Sequence, residues 1–118
     1  MNLIELNNEY RYEILNDFIG DKLYLQPTNI PHYKCCFPGW DNAPRKAWIE
    51  GSVFALSFNQ YKIWLTDIIQ WTKNNYSEDE RYVYINAWNE WGEGAVLEPT
   101  VRYGYKNLQI IKNILESN

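Results

Sequence analysis

Residues 82–94 read YVYINAWNEWGEG, and this stretch decides how the chain is interpreted. Its first part is an almost unbroken apolar run, which predicts a strand over about 82–88 of the kind found in parallel sheets covered on both faces. Its second part is a loop in which Glu90 and Glu93 stand among Trp88, Trp91 and glycines. Because tryptophan and glutamate are not turn formers, this composition favours a loop that handles a ligand.

Two carboxylates at this spacing converge on one pocket when they lie on a tight or helical turn. Such a pair lets one acid be neutral while the other is ionised, which acid–base chemistry at a glycosidic bond requires. The same spacing also fits a solvated Glu93 and a Glu90 that caps a turn, an interpretation that the two neighbouring tryptophans disfavour. Asn86 and Asn89 lie just upstream, where each either binds a hydroxyl, orients a carboxylate or serves the backbone alone.

A second loop, FPGWDNAPR at 37–45, follows a short strand predicted around 33–37. Arg45 suits a phosphate or carboxylate, or it pairs with Asp41 and stiffens the loop. Trp40 is either a platform for a sugar or a cover for the core, and Asn42 is a further polar candidate.

Two more candidates follow the first loop. Glu98 is a third acidic ligand or, as we favour, an acid near the start of the last helix that complements its dipole. Tyr103 either fastens that helix or reaches the pocket.

Helices and strands alternate along the chain, which predicts βα units and a parallel sheet. Both candidate loops then follow the carboxyl ends of strands, where α/β barrels and open sheets bind ligands. Two strands do not complete a parallel sheet, so the chain is expected to be part of a larger architecture. Three helices are predicted, at 3–19 with Gly20 as its stop, at 59–74 and at 102–116. The second is expected to be buried through Tyr61, Trp64, Leu65, Ile68, Ile69 and Trp71, and the third to face inward through Leu108, Ile111, Ile114 and Leu115. The segments between them are a loop at 21–31, an uncertain stretch at 47–57 and a connector at 74–81.

Composition excludes several classes. A net charge of −4 argues against a nucleic-acid surface. No apolar run has the length of a membrane span and no signal pattern opens the chain, so a cytoplasmic protein is expected. Adjacent Cys35 and Cys36 are predicted to be buried free thiols, since neighbouring strand residues point to opposite faces. No phosphate loop, serine elbow or metal-ligand set is present in the sequence, so neither cofactor nor metal is predicted.

The segments NAWNEWGEG (86–94), LEP (97–99) and RYGY (102–105) closely resemble the C-terminal end of WbsX-type proteins. These proteins carry a glycoside hydrolase family 99-like domain and act in bacterial surface polysaccharide pathways. The upstream FPGWDNAPR (37–45) matches a second stretch typical of the family. The resemblance implies a (β/α)8 barrel, of which residues 1–118 supply the last βα units, with the preceding part of that barrel as a partner.

In family 99 glycosidases an Asn-Glu-Trp-x-Glu segment carries two catalytic acids, which match Glu90 and Glu93 here. The resemblance implies that Glu90 deprotonates the 2-hydroxyl of the sugar and that Glu93 protonates the leaving oxygen. Two positions depart from the family pattern: Gly92 replaces an alanine or histidine, and Thr100 replaces an aspartate.

Three functions are compatible with these features. The first is an enzyme acting on glycosidic bonds in O-antigen or capsule metabolism through the Glu90 and Glu93 pair. The second is a glycosyltransferase that uses an activated sugar, whose phosphate Arg45 would meet. The third is a non-catalytic sugar-binding remnant. In each case the partner is a carbohydrate.

Overall fold

The computed structural model describes residues 18–26, 29–46 and 53–117. The predicted helix at 3–19 therefore lies almost wholly outside the described residues. Residues 18–20 are helical and a turn follows at 21–22, which confirms Gly20 as a stop. The expected loop at 21–31 contains one short 3₁₀ turn, Leu23–Leu25.

A parallel strand pair with a helix between its strands is the centre of the fold. Strand β1, Lys34–Cys36, pairs with β4, Val83–Ile85, and Cys35 lies beside Tyr84 in the register. The predicted βαβ unit is thereby confirmed, although β4 ends three residues before the apolar run does. Residues 86–88 leave the sheet and begin the candidate loop.

The central helix, Phe58–Asn75, covers one face of this strand pair. Ser57 accepts a hydrogen bond from the Gln60 backbone and the Gln60 side chain accepts one from the Ser57 N–H, a capping box that fixes the first residue of the helix. Its buried stripe agrees with the predicted one except that Thr72 is buried and Trp71 is only half-buried. The buried cluster comprises Ile19, Tyr24, Cys36, Tyr61, Trp64, Leu65, Ile68, Ile69, Ile110 and Ile114.

The two faces of β1 differ. Cys36 is fully buried against the central helix, and loss of hydration raises the pKa of its thiol to about 12. Lys34 lies on the same face, with its amine 4.4 Å from the centre of the Trp71 ring, and burial lowers the pKa of this amine. Cys35 points the other way and is exposed, so the prediction of two buried thiols is wrong for Cys35.

The face of the strand pair opposite the central helix carries aromatic side chains, and no described element packs against it. Tyr33 contacts Tyr82 and Tyr84 through ring edges, and both of the latter are more than half exposed. Since parallel sheets are normally buried on both faces, this face is unusual for a finished domain. The larger barrel stays a prediction.

Two short antiparallel pairs complete the described strands. β2, Trp40–Asp41, pairs with β3, Val53–Phe54, and β5, Asn89–Glu90, pairs with β6, Ala95–Val96. No strand is predicted from the sequence at either place.

The last helix, Lys106–Ser117, begins four residues later than predicted. Thr100 and Gly104 exchange backbone hydrogen bonds, and Gly104 has φ +56°, which closes a turn where the helix was expected. The helix buries Ile110 and Ile114, while Leu115 is 60% exposed, so the inward placement predicted for Leu115 is wrong.

Candidate functional site

The two candidate loops leave the strand pair at the same end, because β1 and β4 are parallel. They meet through an ion pair in which Arg45 Nη1 donates to Glu93 Oε1, between residues 48 positions apart. The glycines of the two loops are also close: a Cβ on Gly39 would lie 3.7 Å from the carbonyl oxygen of Gly94. Arg45 and Gly39 of one loop therefore lie against Glu93 and Gly94 of the other.

Glu93 is positioned by a short hairpin. Its residue lies at the end of a 3₁₀ turn, Trp91–Glu93, that connects β5 to β6, and Gly94 closes the turn with φ +61°. Glu93 is only 9% exposed. While Oε1 meets Arg45, Oε2 is buried and has no hydrogen-bond donor among the described residues. An acceptor in that position is costly unless a donor reaches it, and a hydroxyl or amide group would be such a donor.

Glu90 has a different environment. It lies on β5 opposite Ala95 and is exposed, as is its neighbour Asn89. The backbone of Leu97 returns to the carbonyl groups of Ala87 and Trp88, which closes the base of the hairpin and holds both acids on one small element.

The indole rings of this loop are largely solvent-facing. Trp88 is 52% and Trp91 56% exposed, as a surface for the apolar side of a sugar would be. Trp91 is nevertheless held in place, because its Nε1 donates to Glu98 Oε2 at 2.6 Å. Since the last helix begins at Lys106, eight positions after Glu98, the favoured dipole role for Glu98 is wrong.

The other predicted residues have mainly structural contacts. Asp41 Oδ1 accepts the Ala43 N–H at 2.9 Å, and Arg45 pairs with a carboxylate, that of Glu93, which was one of its two alternatives, and not with Asp41. Trp40 is half-buried in β2, and Asn42 precedes the turn Ala43–Arg45. The Asn86 backbone donates to the Cys36 carbonyl group and so continues the sheet by one bond.

Tyr103 lies beside a cavity of about 410 Å³ next to the hairpin. Its ring meets Phe58 edge-on at 5.3 Å, which joins the turn at 100–104 to the central helix. Both roles weighed for Tyr103 are compatible with this position. Sequence reasoning missed the wall formed by Leu56 and Asn107, because both lie far from the motifs; together they line the cavity with Trp91, Val96 and Thr100.

The position of the Arg45 side chain depends on the glycine at position 92. A Cβ on Gly92 would lie 3.3 Å from Arg45 Cδ and 3.5 Å from Nη1. The absence of a side chain there lets the guanidinium group lie across the turn that carries Glu93. The departure of Gly92 from the family pattern thus lies beside the contact of Arg45 with Glu93.

Neither a metal site nor a membrane-spanning helix is found among the described residues. Within 18–26, 29–46 and 53–117, no three or more His, Cys, Asp or Glu side chains are grouped so that they would hold a metal ion. In the same ranges no helix combines the length and apolarity needed to cross a membrane.

The segment that contains these residues is similar to known proteins. A family model described as "Glycosyltransferase WbsX" matches residues 3–111. Two curated relatives, both called "Uncharacterized protein WxcX" and from Xanthomonas campestris pv. campestris strains B100 and ATCC 33913, are 44% identical over 78 residues. That match covers 66% of this chain but only 11% of each relative. No solved structure matches the chain.

Proposed function

Since this chain belongs to the WbsX glycosyltransferase family, we propose that it supplies part of the catalytic centre of a carbohydrate-active enzyme. Its substrates are glycans of bacterial surface polysaccharide metabolism, such as O-antigen or capsule. Glu90 and Glu93 act as the two acids at the glycosidic bond. The observation that carries the proposal is the buried Glu93 carboxylate, which one loop presents and the other loop holds through Arg45.

The binding surface consists of the residues around this pair. Trp88 and Trp91 offer exposed rings beside the acids, which suits stacking against a sugar. Polar side chains of the two loops then select among hydroxyl groups. The proposed contacts come from Trp40, Asp41, Asn42, Arg45, Asn86, Trp88, Asn89, Trp91, Glu98 and Tyr103.

The proposed fold is the end of a (β/α)8 barrel. Two parallel strands with a helix between them and a second helix after them correspond to two βα repeats of such a barrel. The exposed tyrosines on the second face of the strand pair would then point into the barrel. The match covers 11% of each relative, so the rest of the barrel is expected from further polypeptide.

Sugar transfer from an activated donor is the second candidate. It is favoured by the family description and by the Arg45 side chain, which is 63% exposed and so retains donors that a phosphate group would meet. This candidate places transfer at the same site, between the two loops.

Single replacements Glu90→Gln and Glu93→Gln in the full-length polypeptide test the proposal. Each is expected to lower turnover by about 10²–10⁴-fold, because general acid–base catalysis contributes that much, while glycan binding persists. Glu78→Gln is the matched control, since Glu78 is an exposed acid in the 3₁₀ turn before β4. Release of reducing sugar from polysaccharide reports hydrolysis, and incorporation of label from a sugar nucleotide reports transfer. Full activity in both variants would overturn the role of the two acids, whereas glycan binding without turnover in the unaltered polypeptide would leave only the sugar-binding remnant.

A further inference from the structure

The cavity next to the hairpin, called here the hairpin cavity, has the size of a ligand site. Its volume of about 410 Å³ lies within the range of small-molecule sites, about 300–1,000 Å³. Three elements line it, namely the hairpin through Trp91 and Gly94, the start of the central helix through Phe58, and the turn before the last helix through Tyr103. Because Trp91 and Gly94 lie on either side of Glu93 in the sequence, the cavity adjoins the candidate acids.

The walls of the hairpin cavity combine rings with a few polar groups. Trp91 is 56% and Tyr103 48% exposed, so much of each ring is open to a ligand. Thr100 and Asn107 add a hydroxyl and an amide to the lining. Asn107 Nδ2 donates to the Val96 carbonyl group at 3.3 Å, which fixes the amide and leaves Oδ1 as an acceptor. Such a mixture of rings, hydroxyl and amide groups suits a sugar ring.

Two cations lie against the rings of this cavity. The Arg102 guanidinium group is 5.0 Å from the centre of the Tyr103 ring, and Lys106 Nζ is 5.7 Å from the centre of the Phe58 ring. The two rings meet edge-on at 5.3 Å, so both cations belong to one wall. Neither cation is in an ion pair with a described residue. An aromatic ring holds a cation in place without neutralising it, so both charges remain available to an anion.

The acids near the cavity are on or next to the hairpin and must be weighed against these cations. Glu93 is held in an ion pair, and Glu98 accepts the Trp91 N–H at 2.6 Å. Glu90 directly precedes Trp91 and is exposed. A negatively charged group of a ligand is therefore repelled by the hairpin and attracted to the wall that carries the two cations.

We propose that the hairpin cavity is a saccharide subsite in which Arg102 and Lys106 select a sugar that carries an anionic substituent. The sugar ring packs against Trp91, and one of its hydroxyl groups donates to Asn107 Oδ1. The carboxylate or phosphate group of the sugar meets the two cations. This inference rests on the proposed function in taking the ligand to be a carbohydrate, and it adds a charge preference to the site.

Calorimetric titration of the full-length polypeptide measures this preference. The probes are a trisaccharide of galacturonic acid, the neutral trisaccharide of galactose, and uridine diphosphate. Arg102→Gln and Lys106→Gln are each expected to weaken binding of an anionic probe by about two- to fivefold, since water partly screens exposed charges. The affinity for the neutral trisaccharide should not change. A loss confined to the galacturonic acid probe identifies a sugar carboxylate as the anion, and a loss confined to uridine diphosphate identifies the phosphate of an activated sugar; either supports the proposal.

Asn107→Asp locates the effect in the cavity, because it places a negative charge in the lining at nearly constant volume. It should weaken binding of the anionic probe by at least about tenfold, since like charges are then brought together. Lys112→Gln and Asn113→Asp are the matched controls, because both residues are exposed farther along the same helix and each change alters the charge by the same amount as its counterpart. Both controls should leave every affinity unchanged.

Three results would overturn the proposal. They are anionic probes that bind the unaltered polypeptide no more tightly than the neutral trisaccharide, equal losses in Arg102→Gln and Lys112→Gln, and no measurable binding of any probe. Turnover that requires Glu90 and Glu93, together with any of these results, would retain the proposed function and remove only the subsite. The expected affinities without turnover would instead retain the subsite and leave a sugar-binding protein.

Discussion

Removal of the Glu98 carboxylate tests whether this side chain orients Trp91 or serves the last helix. The indole Nε1 of Trp91 donates to Glu98 Oε2 at 2.6 Å, while the helix begins only at Lys106. We therefore expect Glu98→Ala to destabilise the protein through Trp91 and not through the helix.

The size of the effect follows from the bond and its exposure. A hydrogen bond to a charged group contributes about 1.5–3 kcal/mol when water is excluded. Trp91 is 56% exposed, so water competes for both partners. We expect a coupling of about 1 kcal/mol between the two side chains, which is roughly a fivefold change in the folding equilibrium.

A double-mutant cycle measures this coupling. Free energies of unfolding in urea, followed by far-ultraviolet circular dichroism, are compared for the wild type, Glu98→Ala, Trp91→Phe and the double variant. Phenylalanine keeps the ring but removes the N–H donor. If Glu98→Ala costs the same whether residue 91 is Trp or Phe, the hydrogen bond carries no energy and the reasoning is refuted.

Three further outcomes are expected. Ser57→Ala should lower the free energy of unfolding by about 1 kcal/mol in urea titration, because the capping box with Gln60 is lost; an unchanged midpoint would contradict this. With an aromatic disulfide reagent at mildly alkaline pH, exposed Cys35 should react in the folded protein and Cys36, whose pKa is raised to about 12, only after unfolding; equal rates would contradict the burial of Cys36. Lys34→Met should raise the free energy of unfolding at neutral pH, and this gain should shrink towards pH 10. The reason is that the Lys34 pKa is lowered in the folded protein, so unfolding of the wild type takes up protons and the wild type becomes more stable as the pH rises. A gain that grows with pH in urea titrations would contradict this.

The sequence predicted those parts of the fold that have a repeated pattern. The stripe of the central helix and the apolar run before Asn86 both identified their elements, and the alternation of elements predicted the parallel pairing of β1 with β4. Strands of two residues, such as β5 and β6, have no period to detect. The last helix was placed too early, because the residues around Gly104 are compatible with a helix until the positive φ of that glycine is known.

The site was predictable in its residues but not in its contacts. Composition alone selected Glu90, Glu93 and the tryptophans, since a loop of that kind has little structural purpose. The pairing of Arg45 with Glu93 joins positions 48 apart, and no local spacing encodes such a contact. Alternation on β1 correctly separated the faces of Cys35 and Cys36, yet it does not tell which face an incomplete sheet leaves open.

The ion pair that joins the two loops makes the site sensitive to ionic strength. One end of the pair, Arg45, has a side chain that is 63% exposed, so counter-ions reach it freely. The Debye length shrinks from about 30 Å at 0.01 M ionic strength to about 10 Å at 0.1 M, and partly exposed attractions weaken accordingly. A dilute buffer would hold the two loops together more firmly than a concentrated one, so the ionic strength chosen for a carbohydrate-binding assay also selects how tightly this junction is closed.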